Sequence, residues 1–454
     1  MNRYSIVGLG KLGASMAAAI AKRGFDVVGV DVNAAAAEAV NNGRAPVQET
    51  ALEQTIADNR DRLRATLDHA EAVLNSDVTF VIVPTPSNHN GMFSLQYAKW
   101  AFQKIGEALA RKADYHLVVL TSTVLPGSTR FGLLPILEES SGKKCGTDFG
   151  LCYGPEFIAL GSVIHNFLNP DFTLVGEFDE RSGATLEQCY AKILENGAPC
   201  KRMSLENAEL TKIAVNTFVT TKISYANMLA ELCESIPGGD IDVISDALGA
   251  DSRIGRKYLT GGLGYGGPCF PRDNIALSAF AKIMGVDASI AIATDEMNRT
   301  PVERLTRRIQ SVSPVGATVA ILGLAYKPDS HVVECSQGID LALALAEAGM
   351  RVIGYDPLAE DSGRKALKDK ALVVDNLKSC LEQAEVVVIA SPDTIFESLG
   401  PEDFPRRHEP VIIFDCWRLL RHNLANTGHL RYFSIGVGSK DRAEALRNLW
   451  HTKI

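Results

Sequence analysis

Apolar positions fall along this chain in short runs divided by glycine turns and small-residue helical stretches, and the first 31 residues set the plan. "YSIVGLG" (4–10) predicts a strand closing on a glycine turn, "KLGASMAAAIAKRG" (11–24) a helix with small residues at helical spacing, and "FDVVGVD" (25–31) a second strand. Two more apolar runs, "VTFVIVPTP" (78–86) and "HLVVLTSTVLPG" (116–127), predict strands ending in small hydroxyl residues before proline. A second unit of the same plan starts late, with "ATVAILGLAYK" (317–327), the helical "GIDLALALAEAG" (338–349) and the strand "MRVIGYDP" (350–357). "AEVVVIASP" (384–392) and "PVIIFDCW" (410–417) continue its sheet. Between the two units the period changes to helical, and residues 204–235 predict one long helix with Ser204 as N-cap and acids in its first turns. At 1.5 Å per residue it spans about 45 Å, enough to bridge two lobes and offer a dimer surface. The pattern therefore predicts an α/β fold. Two Rossmann-like, doubly wound parallel-sheet domains, 1–200 and 301–454, are joined by a central helical domain, 201–300, that holds the long bridging helix.

Composition narrows the class without naming a chemistry. With 454 residues, 46% of them hydrophobic and 22% charged, the chain has the usage of an ordinary globular protein and enough length for two or three cores. A net charge of -8 argues against an electrostatic footprint for nucleic acid or an anionic membrane. The nine cysteines are scattered and include no C-x-x-C pair, so neither a disulfide framework nor a metal site is indicated. "MNRYSIVGLG" runs straight into a strand with no signal-peptide pattern, and no apolar run reaches membrane-spanning length. The expected location is the cytoplasm.

The first glycine turn carries the first candidate chemistry. Gly8, Gly10 and Gly13 form G-x-G-x-x-G where a strand meets a helix, which brings backbone N–H groups, including those around Lys11 and Leu12, close to a pyrophosphate. Asp31 ends the next strand near the usual separation for an acid that binds the ribose 2′-OH of NAD, and no Lys or Arg follows it closely to receive a 2′-phosphate. NAD, rather than NADP, is the expected cofactor. Strand ends line the crevice of a parallel sheet, which makes Thr85, Ser122 and Thr123 candidates as well. The later turn, Gly323-Leu324-Ala325, is degenerate; it predicts a nucleotide-like ligand or a structural fold instead of a second dinucleotide.

A thiol carries the second. Cys269 stands in "YLTGGLGYGGPCFPRDN", where the glycines suit backbone wrapped around a ligand, and Pro271 can open a helix with Asp273 in its first turn. Buried cysteines outnumber nucleophilic ones in general, and the loop reverses those odds here. Lys212 and Asn216 stand one helical turn apart on the long helix; a lysine beside a cysteine lowers the thiol pKa and stabilises an oxyanion.

These residues also carry a resemblance. "GYGGPCFPRD" resembles the cysteine motif of the UDP-glucose/GDP-mannose dehydrogenase family of nucleotide-sugar 6-dehydrogenases. "YGPEFIALGSVIHNFLNPDFTLVG" (153–176), "LTKIAVNTFVTTKIS" (210–224), "SRIGRKYL" (252–259) and "GLAYKPD" (323–329) resemble its other motifs in the same order. The resemblance implies an NAD-binding domain, a dimer-forming helical centre and a C-terminal domain for the nucleotide of the sugar. It implies two oxidations at C6, each with one NAD, through a thiohemiacetal and a thioester on Cys269. By matching position, Lys212 and Asn216 stabilise the oxyanion, Asp273 is the acid after the cysteine, Glu156 serves thioester hydrolysis and Thr123 positions water. The nucleotide sugar falls to Glu156, Phe157, Lys212, Asn216, Arg253 (across a dimer interface), Tyr258, Tyr265, Gly266 and Lys327.

The chain departs from the family pattern at several places. Leu160 stands where a second acid is usual, "NAAAA" follows the cofactor acid in place of a basic residue, and "KPDSHVVECS" is one residue short with Val333 in place of an Arg. "DCWRLL" leaves Arg418 as a candidate substrate partner. "CFPRD" favours UDP-glucose, with GDP-mannose or another UDP-hexose as alternatives. A single-step hydroxyacid dehydrogenase, which has no use for Cys269, and a nucleotide-sugar-binding protein without activity are the rival readings.

Overall fold

A computed structural model of the chain describes residues 2–158, 161–425, 427–439, 443 and 447. Two compact units divide it, Met1–Val215 and Asn216–Ile454. The division falls inside the long helix, Leu205–Ser235. Ser204 does cap this helix, its hydroxyl accepting the Asn207 N–H at 3.3 Å.

The first unit holds a sheet of β1 (Arg3–Val7), β2 (Asp26–Val30), β3 (Leu63–Thr66), β4 (Val78–Val81), β5 (His116–Leu120), β6 (Phe149–Tyr153), β7 (Thr173–Glu177) and β8 (Cys200–Ser204). Its order is β3-β2-β1-β4-β5-β6-β7-β8. The chain winds outward both ways from the β1/β4 junction, the switch point at which doubly wound sheets bind ligands. Every neighbouring pair is parallel except β6 and β7. Both faces are covered, one by a cluster around Met16, Ile20, Phe80 and Phe167, the other by one around Phe102, Ile105, Phe149 and Leu205. Strand β4 ends at Val81 although the apolar run continues; the Val83 N–H goes to the Ser122 hydroxyl at 2.9 Å in place of a ladder carbonyl.

The second unit repeats the plan with β9 (Thr318–Leu322), β10 (Arg351–Tyr355), β11 (Leu372–Val373), β12 (Val386–Ile389), β13 (Val411–Asp415) and β14 (Leu430–Ser434), ordered β11-β10-β9-β12-β13-β14 and wholly parallel. The helices Ile241–Ala250, Phe270–Ile283, Ser289–Met297 and Thr300–Val312 precede it.

The two glycine turns share one packing device. A Cβ on Gly13 would lie 1.8 Å from the Gly8 carbonyl oxygen, and one on Gly338 would lie 2.2 Å from that of Gly323. Gly8 and Gly323 both have positive φ, +100° and +102°. The second turn is thus the counterpart of the first, with a longer loop between Leu324, which matches Leu9, and its helix, Gln337–Glu347. Reading Gly323-Leu324-Ala325 as the whole turn missed Gly338, which closes it; the insertion hides the spacing.

Candidate active site

In the first unit, the turn after β1 is shaped for a phosphate. Gly10 is exposed and N-caps the helix Lys11–Lys22 with no side-chain cap; a Cβ there would meet no protein atom within 4 Å. The open space beside Gly10, at the start of this helix, suits the anion binding that helix N-termini favour. Asp31 steadies the turn, taking the Leu9 N–H at 2.7 Å and the Asn33 N–H at 2.8 Å, and stays partly exposed. Asp356, its counterpart after β10, is only 6% exposed and accepts four backbone N–H groups, from Leu324, Ala325, Leu358 and Ala359. That carboxylate is committed to the fold. The first turn fits NAD; the second offers no acid to a ribose.

The strand-end hydroxyls divide by role. Ser122 donates to the Val83 carbonyl at 2.7 Å and accepts the Val83 N–H at 2.9 Å, bracing β5 against β4. Thr85, 5% exposed, donates to the Thr123 carbonyl at 2.7 Å. Its side chain ties this segment to the backbone at Thr123. Thr123 itself is half-buried at the strand end.

A carboxyl and an amine occupy the end of β6. Lys212, 8% exposed, donates to the Glu156 carbonyl at 2.7 Å, and its Nζ sits 4.5 Å from the centre of the Phe157 ring. Phe157 packs on Phe172 with ring centres 5.0 Å apart. Loss of water around Glu156 pushes its carboxyl up to about 8, against the opposing pull of the Lys212 charge. This shift favours the protonated form of Glu156.

In the second unit, Cys269 is exposed and stands at the N-cap of the helix Phe270–Ile283, so the helix starts one residue before Pro271. Asp273 falls in the first turn as expected, its N–H on the Cys269 carbonyl at 2.9 Å. The Asn216 amide donates to Asp273 Oδ2 at 2.6 Å, and Asp273 is 1% exposed. Asp273 is therefore an orienting acceptor for Asn216. A helix N-terminus favours an anionic sulfur at its cap position.

The glycines before the thiol stand where the chain packs closely on itself. A Cβ on Gly266 would lie 2.2 Å from the Cys335 carbonyl oxygen, one on Gly267 would lie 2.6 Å from the Tyr326 ring, and one on Gly264 would lie 2.4 Å from Asn298 Oδ1. These glycines let the loop press against its own unit, with no room for a side chain at Gly266. Tyr265 is 4% exposed, with its hydroxyl bound by Asn274 (2.9 Å) and Asp295 (3.3 Å). Asn298 holds its backbone N–H (2.7 Å) and carbonyl (2.8 Å). Neither asparagine stood out in sequence, because the signal lies only in these long-range bonds. Of the other substrate candidates, Arg253 is exposed and paired with Asp251 at 2.6 Å; Tyr258 is 50% exposed at φ +68°, and Lys327 lies half-buried in the loop after β9. Arg418 is 7% exposed, pairs with Asp242 at 2.7 Å and donates to the Ile435 carbonyl at 3.0 Å. Val333 packs on the core of the second sheet, where a charged side chain would be desolvated. Leu160 lies outside the described residues.

The chain matches all three models of one family: the NAD binding domain of the UDP-glucose/GDP-mannose dehydrogenase family over residues 2–194, its central domain over 206–300 and its UDP binding domain over 320–422. It belongs to the UDP-glucose/GDP-mannose dehydrogenase family. It is thereby an NAD-dependent nucleotide-sugar 6-dehydrogenase, an oxidoreductase. Among its relatives are a UDP-glucose 6-dehydrogenase of Haloferax volcanii, 37% identical over 413 residues covering 90% of this chain and 95% of that one, and a GDP-mannose 6-dehydrogenase of Azotobacter vinelandii, 33% identical with 88% and 94% covered. A solved UDP-glucose dehydrogenase from Pyrobaculum islandicum superposes with a TM-score of 0.86 at 32% identity, covering 96% of this chain and 98% of that one.

Two outcomes follow from this geometry. Gly10→Ala, at extended backbone with open space beyond it, changes unfolding stability by less than about 0.5 kcal/mol yet raises the NAD dissociation constant by on the order of tenfold, whereas Gly13→Ala loses about 1–3 kcal/mol of stability by overpacking; denaturant unfolding and NAD titration read the contrast. Because the folded Glu156 holds its proton up to about 8 and the unfolded one only to about 4.3, its contribution to stability is present at acid pH and is lost as pH rises across that window. Unfolding curves from pH ~4 to ~9 should show this decline in the wild type and its loss in Glu156→Gln; parallel pH profiles would refute it.

Proposed function

We propose that the chain oxidises UDP-glucose at C6 to UDP-glucuronate, in two steps that share one cysteine. The observation that carries the reading is Cys269, an exposed thiol at a helix N-cap on a loop braced by its own unit. NAD, when bound on the turn at Gly8, Gly10 and Gly13, accepts a hydride in each step. Thr123 positions water, and Lys212 and Asn216 stabilise the oxygen as negative charge develops on it. The Cys269 thiolate adds to the C6 aldehyde and makes a tetrahedral thiohemiacetal; loss of its C6 hydride leaves a thioester. Glu156, with its raised carboxyl, serves the hydrolysis, in which water adds at C6, the C–S bond breaks and the thiolate returns. Overall, one primary alcohol, two NAD⁺ and one water become one carboxylate, two NADH and three protons.

Three domain roles go with this: NAD on residues 1–200, dimer and thiol on 201–300, nucleotide on 301–454, with Phe157, Arg253, Tyr258 and Lys327 facing substrate. UDP-glucose is preferred on "CFPRD" and on the Haloferax and Pyrobaculum relatives; the Azotobacter relative keeps GDP-mannose as the alternative. The reaction is placed in the cytoplasm, in keeping with nine free cysteines and with no described helix long and apolar enough to cross a membrane.

A second copy of the chain is the proposed cover for an apolar surface in the second unit. Phe218, Leu232, Ile283 and Ile290 are large apolar side chains that are 67%, 54%, 66% and 72% exposed on three helices of this unit.

A panel of UDP-glucose, GDP-mannose and UDP-N-acetylhexosamines scored for NADH should give two NADH per UDP-glucose. Cys269→Ala should cut uronate formation to below about a thousandth. Turnover of GDP-mannose alone would reject the substrate, one NADH per sugar would reject the two-step chemistry, and nucleotide-sugar binding without NADH would leave the binding-protein reading standing. Light scattering should find a dimer of the 48.9 kDa chain or a multiple of it, converted to monomer by Phe218→Glu with Ile290→Glu; a monomeric wild type would remove the proposed interface.

A further inference from the structure

The loop after β5 carries Thr123 and is held at both ends. Near its start, Thr85 grips the Thr123 carbonyl at 2.7 Å. At its end the chain passes through Gly127, at φ +86°, into a π-helical turn, Ser128–Leu133. An i→i+5 turn leaves its leading N–H groups without partners inside the turn. One carboxylate takes two of them: Glu209 Oε2 accepts the Gly127 N–H at 2.6 Å, and Oε1 accepts the Thr129 N–H at 2.8 Å. Glu209 has 0% exposure and lies on the long helix, three residues before Lys212. A neighbouring tie joins Arg130 of the turn to Glu206 of the helix at 2.5 Å.

A buried carboxylate without a cation is a costly choice for packing, since an apolar side chain would fill the same space with no charge to desolvate. Its two N–H bonds have one geometric effect, which is to fix the register of the long helix against the loop that ends β5. Lys212 stands one turn further along that helix, and Thr123 stands on that loop. We propose that Glu209 is a positioning residue for the oxidation, setting the spacing between Lys212 and Thr123. This rests on the roles given to those two residues above. It acts through geometry: Glu209 touches neither substrate nor cofactor. Misplacement of a catalytic group by about 1 Å costs on the order of a hundredfold in rate.

A double-mutant cycle with UDP-glucose and NAD tests it, using Glu209→Gln, Lys212→Ala and the pair. Glu209→Gln should lower kcat by about 10- to 100-fold while KM for UDP-glucose stays within about threefold. In the Lys212→Ala background the same change should cost less than about threefold, because the group it positions is gone. Losses that multiply independently, or a kcat unchanged by Glu209→Gln, would overturn the proposal. If Lys212→Ala itself leaves kcat intact, the role assigned to Lys212 fails, a separate result that also removes the basis for Glu209. Should Glu209→Gln fail to yield folded protein, Glu209→Asp, one methylene too short to reach both N–H groups, carries the cycle with the same expected outcomes.

Discussion

Both units depend on how closely a helix can approach the strand that feeds it. At Gly13 and again at Gly338, the missing Cβ lets a helix backbone rest against the carbonyl of the glycine that ends the preceding strand, with a side chain excluded at 1.8 and 2.2 Å. That contact aims the first helix so that its N-terminus meets the switch point of the sheet, where backbone N–H groups receive an anion. The strands, buried on both faces, follow from the same arrangement, since helices fed in this way cover the sheet on each side.

From one device the two units reach different ends. In the first, Gly10 opens onto space and Asp31 keeps part of its carboxylate at the surface, which suits a dinucleotide. In the second, a longer loop follows Leu324 and Asp356 is spent on four backbone N–H groups. The inserted loop presses instead on the glycines before Cys269, by way of the Cys335 carbonyl and the Tyr326 ring. The thiol is therefore presented by a scaffold of protein contacts. Asn298, Asn274 and Asp295 complete that scaffold around Tyr265. Such rigidity suits the proposed chemistry, because a nucleophile held by packing reaches its carbon without first being ordered.

Much was legible in the sequence, and for local reasons. Strand-turn-helix patterns, the glycine fingerprint, Asp31, the Ser204 cap and Asp273 in the first turn after Cys269 all depend on neighbours within a few residues or on a fixed period, which is the information a linear pattern holds. Tertiary structure decided the rest. It showed the Gly266 and Gly267 positions filled by the chain's own atoms, buried Tyr265 and Thr85 as braces, tied Arg418 to Asp242, and gave Glu156 the dry surroundings that raise its carboxyl. It also joined Glu209 to a turn some eighty residues earlier. Each of these turns on which atom fills a given space or accepts a given proton. Residue type and spacing leave that open, since the same glycine admits a ligand or a carbonyl, and only the folded chain places one of them there.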